Sequence, residues 1–107
     1  MKPVIFFLTC ADQNEADLIT NSLLEKQLAV CIKTLPTSST YRWKGEIEKS
    51  NEILLIIDSV EENFDHVSLA VKALHSYETY NLSMVTMSKT TDDILSWMMN
   101  ELSIKLS

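Results

Sequence analysis

The sequence predicts an α+β domain in which a four-stranded antiparallel sheet packs against two helices. Segments with the hydrophobic pattern of strands alternate with segments of helical periodicity, in the order β, α, β-hairpin, α, β, and a last helix follows. The chain has 107 residues, which suits one core, and 46% of them are hydrophobic. This is enough for burial to offset the conformational entropy lost on folding. We therefore predict one domain over residues 1–107.

The first strand and the first helix are predicted from adjacent patterns. Residues 4–10 form a continuous apolar run rich in β-branched and aromatic side chains, which is typical of a buried strand. Asp12, followed by Glu15 three residues later, matches a capping box, a pattern that begins many helices. Apolar residues then recur at helical spacing, namely Ala16, Ile19, Leu23, Leu24 and Leu28. The helix is predicted over about residues 12–27.

A long β-hairpin is predicted in the middle of the chain. Its first strand covers residues 29–35, and we expect Pro36 to interrupt the strand because proline has no backbone N–H to donate. The strand resumes at residues 41–43. The turn falls at Lys44 and Gly45, where the only glycine of the chain can adopt a positive φ.

The third strand and the second helix follow this turn. Residues 46–48 alternate between polar and apolar, and residues 53–57 form the clearest buried strand of the sequence. Ser59 and Glu62 have the spacing of a second capping box and precede a stripe of apolar residues. A second helix is therefore predicted over about residues 60–74.

The end of the chain completes the order of elements. Residues 82–87 predict a fourth strand, and Thr90 or Thr91 is expected to cap a third helix. This order is that of the split βαβ, or ferredoxin-like, sandwich with an added C-terminal helix. The sheet face opposite the two helices needs cover, which the long hairpin, the third helix or an oligomer can provide.

Charge, hydropathy and cysteine spacing exclude several classes of protein. The net charge of −6 has the wrong sign for binding a phosphate backbone, so we expect no nucleic-acid partner. No apolar run approaches the roughly 20 residues that a membrane helix needs, so we expect no membrane partner. Cys10 and Cys31 lack CxxC spacing, which favours free thiols in a reducing compartment. We expect a cytoplasmic protein.

Several segments resemble the CutA divalent-cation tolerance proteins. They are residues 28–32 (LAVCI), 41–48 (YRWKGEIE), 52–57 (EILLII) and 75–78 (HSYE), together with the late Trp97. Their order and spacing are similar to the family pattern over nearly the whole chain, and residues 41–48 are the specific part.

The chain departs from the usual family pattern around the fourth strand. The family usually has His-Pro-Tyr-Glu followed by a second proline and a glutamate, whereas this chain has Ser76, Tyr80 and Asn81 at those positions. Ile94 stands where the family usually has a tyrosine. The motif residues His75, Tyr77 and Glu78 are retained.

The resemblance implies a cytoplasmic homotrimer that takes part in tolerance of copper and other divalent metal ions and binds Cu(II). In such a trimer the long hairpins join the sheets of neighbouring subunits. The resemblance implies no enzymatic reaction and no required cofactor, and the sequence has no G-x-S-x-G, P-loop or HExxH motif. The alternative function is a trimeric signalling or scaffold protein that binds a small metabolite or a partner protein at clefts between subunits.

His75 is the candidate metal ligand, because imidazole binds Cu(II) and other divalent cations well and because the family motif includes this residue. The alternative is a histidine that complements the dipole at a helix C-terminus or hydrogen-bonds a neighbour. Cys10 and Cys31 could supply soft ligands, although a free buried cysteine usually packs as a small hydrophobic residue. We expect His66 to lie exposed on the second helix.

Aromatic and charged residues are predicted to line a cleft between subunits. They are Lys33, Tyr41, Trp43, Glu46, Tyr77, Glu78 and Trp97. The alternative is that the aromatic members anchor an interface. Glu46 and Glu48 point to the same side of the hairpin, where they either attract cations or face solvent. An enzyme that uses Glu46, Tyr77 and Glu78 as acid–base groups is the least supported interpretation.

Overall fold

The computed structural model describes residues 2–103 and has the predicted α+β architecture. Four strands form one antiparallel sheet in the order β2-β3-β1-β4, and three helices flank it. The elements are β1 (Pro3–Cys10), α1 (Gln13–Glu25), β2 (Cys31–Trp43), β3 (Glu46–Val60), α2 (Phe64–Leu74), β4 (Leu82–Thr86) and α3 (Asp92–Glu101). This confirms the ferredoxin-like order with an added C-terminal helix and a long β2–β3 hairpin.

The main core lies between one face of the sheet and the helices α1 and α2. Alternate residues of β1 point into it, because successive side chains of a strand lie on opposite faces. The fully buried members from the sheet are Val4, Phe6, Leu8, Cys10, Leu55 and Ile57. The helices contribute Ala16, Ile19, Leu23, Val67 and Val71. Ala16, Ile19 and Leu23 have the helical spacing that the sequence predicted, whereas Leu24 of the same predicted stripe is 39% exposed.

The opposite face of the sheet carries apolar side chains that are only partly covered. Strand alternation and register place Ile5, Phe7, Leu54, Ile56 and Val85 on this face, which we call the open face. Helix α3 packs at one end of it, where Met98 and Leu102 bury Val60. Within residues 2–103 no other helix packs on the open face.

The β2–β3 hairpin is longer and more regular than predicted. β2 runs unbroken through Pro36, which pairs with Ile53 of β3, so the predicted interruption is wrong. A proline is tolerated here because β2 is an edge strand, where half of the backbone donors face away from the sheet. Gly45 has a φ of 82°, which confirms the turn and its predicted positive φ; Lys44 also has a positive φ, 50°, which the sequence analysis did not predict.

The start of the second helix differs from the prediction. Ser59 belongs to β3 and donates its buried hydroxyl to the carbonyl oxygen of Leu28, so it cannot cap a helix. Asn63 also donates to this carbonyl, at 3.3 Å. The predicted capping box at Ser59 and Glu62 is therefore wrong: a 3₁₀ turn over Glu61–Asn63 leads into α2. The third helix begins after Thr91, as predicted, but the Thr91 side chain makes no capping hydrogen bond.

Candidate metal and ligand site

Three side chains of metal-ligating type meet at the carboxyl end of β1. A sulfur of Cys10, a carboxylate oxygen of Glu15 and a ring nitrogen of His75 all lie within 4.8 Å of one another. Cys10 ends β1, Glu15 lies in the first turn of α1, and His75 follows the last turn of α2. We call these three residues the His75 cluster. The part of the chain between residues 2 and 103 contains no other such group of three.

Glu15 is held in the cluster by backbone amides from two segments, the turn before α1 and the segment after α2. The capping box at Asp12 is confirmed, since the Glu15 N–H donates to Asp12 Oδ1 at 2.9 Å. The Glu15 carboxylate in turn accepts from the N–H of Ala11 at 2.7 Å and from the N–H of Ser76 at 2.6 Å. Burial opposes the charge of Glu15, but these hydrogen bonds and the nearby His75 outweigh it and lower its pKa.

The ring of His75 is bonded through both nitrogens. Nε2 lies 2.8 Å from the carbonyl oxygen of Thr9, and Nδ1 accepts from the N–H of Tyr77 at 3.1 Å. Because a carbonyl only accepts and an amide N–H only donates, this arrangement assigns the neutral tautomer with its proton on Nε2. The ring also stacks on Tyr80 with a centroid distance of 4.8 Å. A hydrogen-bonded histidine, one of the two alternatives for His75, is thus the state in this structure.

Cys10 is a buried thiol in an acidic environment. Burial, followed by the charges of Glu15, Asp12 and Glu52, raises its pKa from 9.0 to about 12. The thiol therefore keeps its proton at neutral pH. Any cation that binds Cys10 as a thiolate must displace this proton, so binding would strengthen as the pH rises.

We expect alkaline pH to destabilise the fold through Cys10. Its folded-state pKa lies above the unfolded value, so its stabilising contribution is fully present below pH 9.0 and is lost as the pH rises towards about 12. The measurement is urea unfolding of wild type and Cys10→Ser at several pH values across this range. A serine hydroxyl does not titrate there, so the wild type should lose more stability than the variant; parallel pH profiles would contradict the assignment.

Tyr77 links the cluster to a carboxylate that the sequence analysis did not single out. Its hydroxyl donates to Glu52 Oε2 at 2.9 Å, and Glu52 is only 7% exposed. Burial and the Glu52 carboxylate raise the pKa of Tyr77 from 10.0 to about 12, so the phenol remains a donor. A charged residue at the start of the apolar run of β3 was the one available signal for Glu52 in the sequence.

Three of the predicted cleft residues, Tyr41, Trp43 and Glu46, lie towards the tip of the hairpin. Trp43 pairs with Glu46 across the turn, and Tyr41 pairs with Glu48. The Tyr41 hydroxyl lies 2.9 Å from Ser50 Oγ. Trp43 is 47% exposed and Tyr41 is 40% exposed, so both rings are free to contact another molecule.

The other predicted cleft residues lie elsewhere in the chain. Tyr77 and Glu78 line an open groove of about 710 Å³ beside α2. Lys33 lies 3.5 Å from Asp58 at the far end of β3. Trp97 is an exposed residue of α3. One chain thus does not bring the seven residues together, and a cleft that combines them would need more than one subunit.

The remaining candidates lie outside the cluster. Cys31 is half-buried on β2, with Lys33 Nζ 3.9 Å from its sulfur. Both Cys10 and Cys31 are free thiols. His66 is exposed on α2, as expected.

Comparison with known proteins confirms the resemblance found in the sequence. Residues 4–101 match the family model described as CutA1 divalent ion tolerance protein. The chain belongs to the CutA1 family. The divalent-cation tolerance protein CutA of Archaeoglobus fulgidus is 34% identical over 91 residues, which are 85% of this chain and 89% of that protein. The protein of the same name from Pectobacterium atrosepticum is 32% identical over 96 residues, 89% of this chain and 87% of that protein.

Solved CutA structures share the fold. The crystal structure of CutA from Xylella fastidiosa superposes with a TM-score of 0.91 at 32% identity, covering 96% of this chain and all of that one. The divalent cation tolerance protein from Thermus thermophilus gives a TM-score of 0.91 at 26% identity, covering 94% of this chain and 99% of that one. Among residues 2–103 of this CutA1 protein, no helix has the length and apolar character needed to span a membrane.

Proposed function

We propose that this CutA1 protein is a cytoplasmic homotrimer that takes part in copper tolerance and binds Cu(II) through His75. The observation that carries the copper proposal is the His75 cluster, in which three potential ligand atoms lie within 4.8 Å of one another. Thiolate, imidazole and carboxylate form a ligand set suited to copper and zinc. The donor types therefore fit a divalent cation of this kind.

Binding at the cluster would require Cys10 to release its thiol proton and His75 to change its tautomer. Glu15 is already charged, since its pKa is lowered. His75 would bind as a neutral imidazole through Nε2, with its proton moved to Nδ1 and its hydrogen bonds to Thr9 and Tyr77 broken. The acidic groups that hold the thiol protonated also attract a cation, so the same local field favours the exchange. A bound cation would supply the positive charge that this acidic end of β1 lacks.

We expect His75→Ala to lose Cu(II). Native mass spectrometry of the apo protein and of the protein with a few equivalents of Cu(II) reports subunit number and metal content together. The wild type should be a trimer with one Cu(II) ion per chain, and the His75→Ala variant should be a trimer without bound Cu(II). His66→Ala, which removes the exposed histidine of α2, is the matched control and should keep the ions.

Two further measurements make this test decisive. His75→Gln retains groups that can hydrogen-bond but lacks a good metal ligand, so it separates lost binding from lost folding. Zn(II) has no redox chemistry and serves as a second ion that cannot oxidise Cys10. Equal affinity of wild type and His75→Gln for both ions would contradict a metal role of His75.

The open face and the hairpin support the homotrimer. A contiguous apolar surface on a sheet is typical of an interface between subunits. β1 pairs with β3 only over residues 53–60, so residues 46–52 present a free edge beyond the end of β1. Such an edge can pair with the sheet of a neighbouring subunit.

The two free cysteines support the cytoplasmic location. Neither Cys10 nor Cys31 forms a disulfide. Reduced thiols persist in a reducing compartment, and the cytoplasm is such a compartment.

A second proposed function is a trimeric signalling or scaffold protein that binds a small metabolite or a partner protein at clefts between subunits. It is favoured by the exposure of Tyr41, Trp43 and Trp97, since exposed aromatic side chains commonly anchor a partner.

A further inference from the structure

The three side chains of the His75 cluster are closed to solvent. Cys10 has no exposed surface, the side chain of His75 has none, and the side chain of Glu15 is 8% exposed. A cation therefore cannot reach all three ligand atoms in this conformation. Part of the surrounding structure must move before the proposed copper site can be filled.

Residues 76–80 cover the cluster on the side of the imidazole ring. They lie between α2 and β4 and form neither helix nor strand. The ring of Tyr80 stacks on the ring of His75, and the ring of Tyr77 lies beside it at a centroid distance of 5.0 Å. Two aromatic rings of this segment thus shield the imidazole from solvent.

Hydrogen bonds to two acidic side chains hold residues 76–80 over the cluster. The N–H of Ser76 donates to a Glu15 carboxylate oxygen at 2.6 Å. The hydroxyl of Tyr77 donates to Glu52 Oε2 at 2.9 Å. Hydrogen bonds with a carboxylate acceptor are stronger than those between neutral groups. These two bonds therefore fix the segment in the closed position.

The rest of this segment is loosely held. Glu78 and Thr79 make no hydrogen bond within residues 2–103. The open groove of about 710 Å³ is lined by residues 77–80 and by Ser68 and Lys72 of α2, so the segment does not pack tightly against this helix. Segments with few contacts open locally at a lower free energy than core strands do. Residues 76–80 can thus leave the cluster while the sheet stays folded.

We propose that residues 76–80 form a gate over the His75 cluster, which the bonds of Ser76 and Tyr77 and the stacked ring of Tyr80 hold closed, and which opens locally to admit a cation. This deepens the copper proposal and rests on it for the identity of the ligand. Opening breaks the bond from the Tyr77 N–H to His75 Nδ1, which leaves Nδ1 free to carry the imidazole proton. The closed gate thus favours the tautomer protonated on Nε2, and the open gate permits the tautomer that binds a metal there.

The test measures how often Cys10 becomes accessible in the metal-free protein. Cys31→Ser leaves Cys10 as the one thiol of the chain, and iodoacetamide alkylates a thiol that is exposed and deprotonated. Mass spectrometry gives the alkylation rate at a fixed pH and at several urea concentrations below the unfolding transition. Local opening exposes little surface, so the rate should rise only slightly with urea. Exposure by global unfolding would make it rise with the full slope of the transition.

Variants of the gate then identify what holds it closed. Tyr77→Phe removes the hydroxyl that bonds Glu52 and should accelerate alkylation about tenfold or more, still with a shallow dependence on urea. Tyr80→Leu keeps an apolar side chain without the stacked ring and should accelerate alkylation about twofold to tenfold. Tyr41→Phe is the matched control, because it removes a hydroxyl that bonds Ser50 on the hairpin, away from the cluster. Its alkylation rate should equal that of the parent protein.

Uptake of Zn(II) shows whether the gate serves a cation. Zn(II) cannot oxidise Cys10, and its transfer from a colorimetric chelator gives the rate of uptake. Tyr77→Phe should take up Zn(II) about tenfold faster than the wild type does, since its gate is open more often. Gated alkylation in a protein that binds neither Zn(II) nor Cu(II) would support the gate and contradict the proposed copper function.

Two results would overturn the gate. The first is an alkylation rate of the Cys31→Ser protein that rises with urea as steeply as global unfolding does. The second is an equal alkylation rate in Tyr77→Phe and Tyr41→Phe. Both results are obtained without metal, so the gate can fail while copper binding succeeds.

Discussion

Replacing Phe7 by lysine should convert the proposed trimer into monomers. Phe7 lies on the central strand β1 and points to the open face, away from the core formed with α1 and α2. In a trimer closed over this face, the substitution would remove an aromatic anchor and bury an unpaired charge in each subunit. The first effect alone is commonly worth about 2 kcal/mol or more. Analytical ultracentrifugation at micromolar concentration should show a single-chain species.

Leu18→Lys provides the matched control for this experiment. Leu18 lies on α1 and is 51% exposed, so it is a large apolar residue on a surface other than the open face. The control should sediment as the wild type does. Phe7 is only half-buried within one chain, so its replacement should leave that chain folded. Circular dichroism checks that both variants are folded. A folded Phe7→Lys protein that remains trimeric would show that the open face is not the interface.

Replacing Glu15 by alanine should cost about 2–4 kcal/mol of unfolding free energy. The Glu15 carboxylate bonds the N–H groups of Ala11 and Ser76 and lies 3.6 Å from His75 Nε2. Truncation leaves two amides without their acceptor and releases the segment after α2 from the start of α1. Urea unfolding at a fixed protein concentration measures the loss, because the stability of an oligomer depends on concentration.

Two variants show whether this loss arises from the charge of Glu15. Asp17→Ala removes an exposed carboxylate of α1 whose one hydrogen-bond donor among residues 2–103 is Gln13, so it should change stability by no more than about 0.5 kcal/mol. Glu15→Gln keeps one acceptor oxygen and should retain part of the stability. Since the folded-state pKa of Glu15 is lowered, its contribution is present above pH 4.5 and is lost as the pH falls through the folded value. The difference between wild type and Glu15→Gln should therefore shrink in acid.

The predictions that succeeded concern patterns whose partners lie close in sequence. The turn at Lys44 and Gly45 depends on two adjacent residues, and the cap of α1 depends on Asp12 and Glu15, three residues apart. The apolar alternation of β1 depends only on the period of a strand. Local geometry suffices for such features, so the sequence displays them directly.

The predictions that failed concern residues whose role is decided by distant partners. Ser59 has the spacing of a capping residue, but the carbonyl of Leu28, 31 residues away, takes its hydroxyl. Pro36 has no backbone donor, but the position of β2 at the edge of the sheet makes the donor unnecessary. Neither the buried carbonyl nor the edge position can be inferred from the residues next to them.

The sequence by itself determined the order of strands and helices, the turn of the hairpin and, through residues 41–48, the CutA1 family. Only the tertiary structure decided what the polar residues do. It brings Ser76 to Glu15 across 61 positions and Tyr77 to Glu52 across 25, and it thereby makes the His75 cluster and the Tyr77–Glu52 pair. The physical reason is that periodicity is a property of neighbouring residues, whereas burial and pairing of a charge depend on every segment that packs around it.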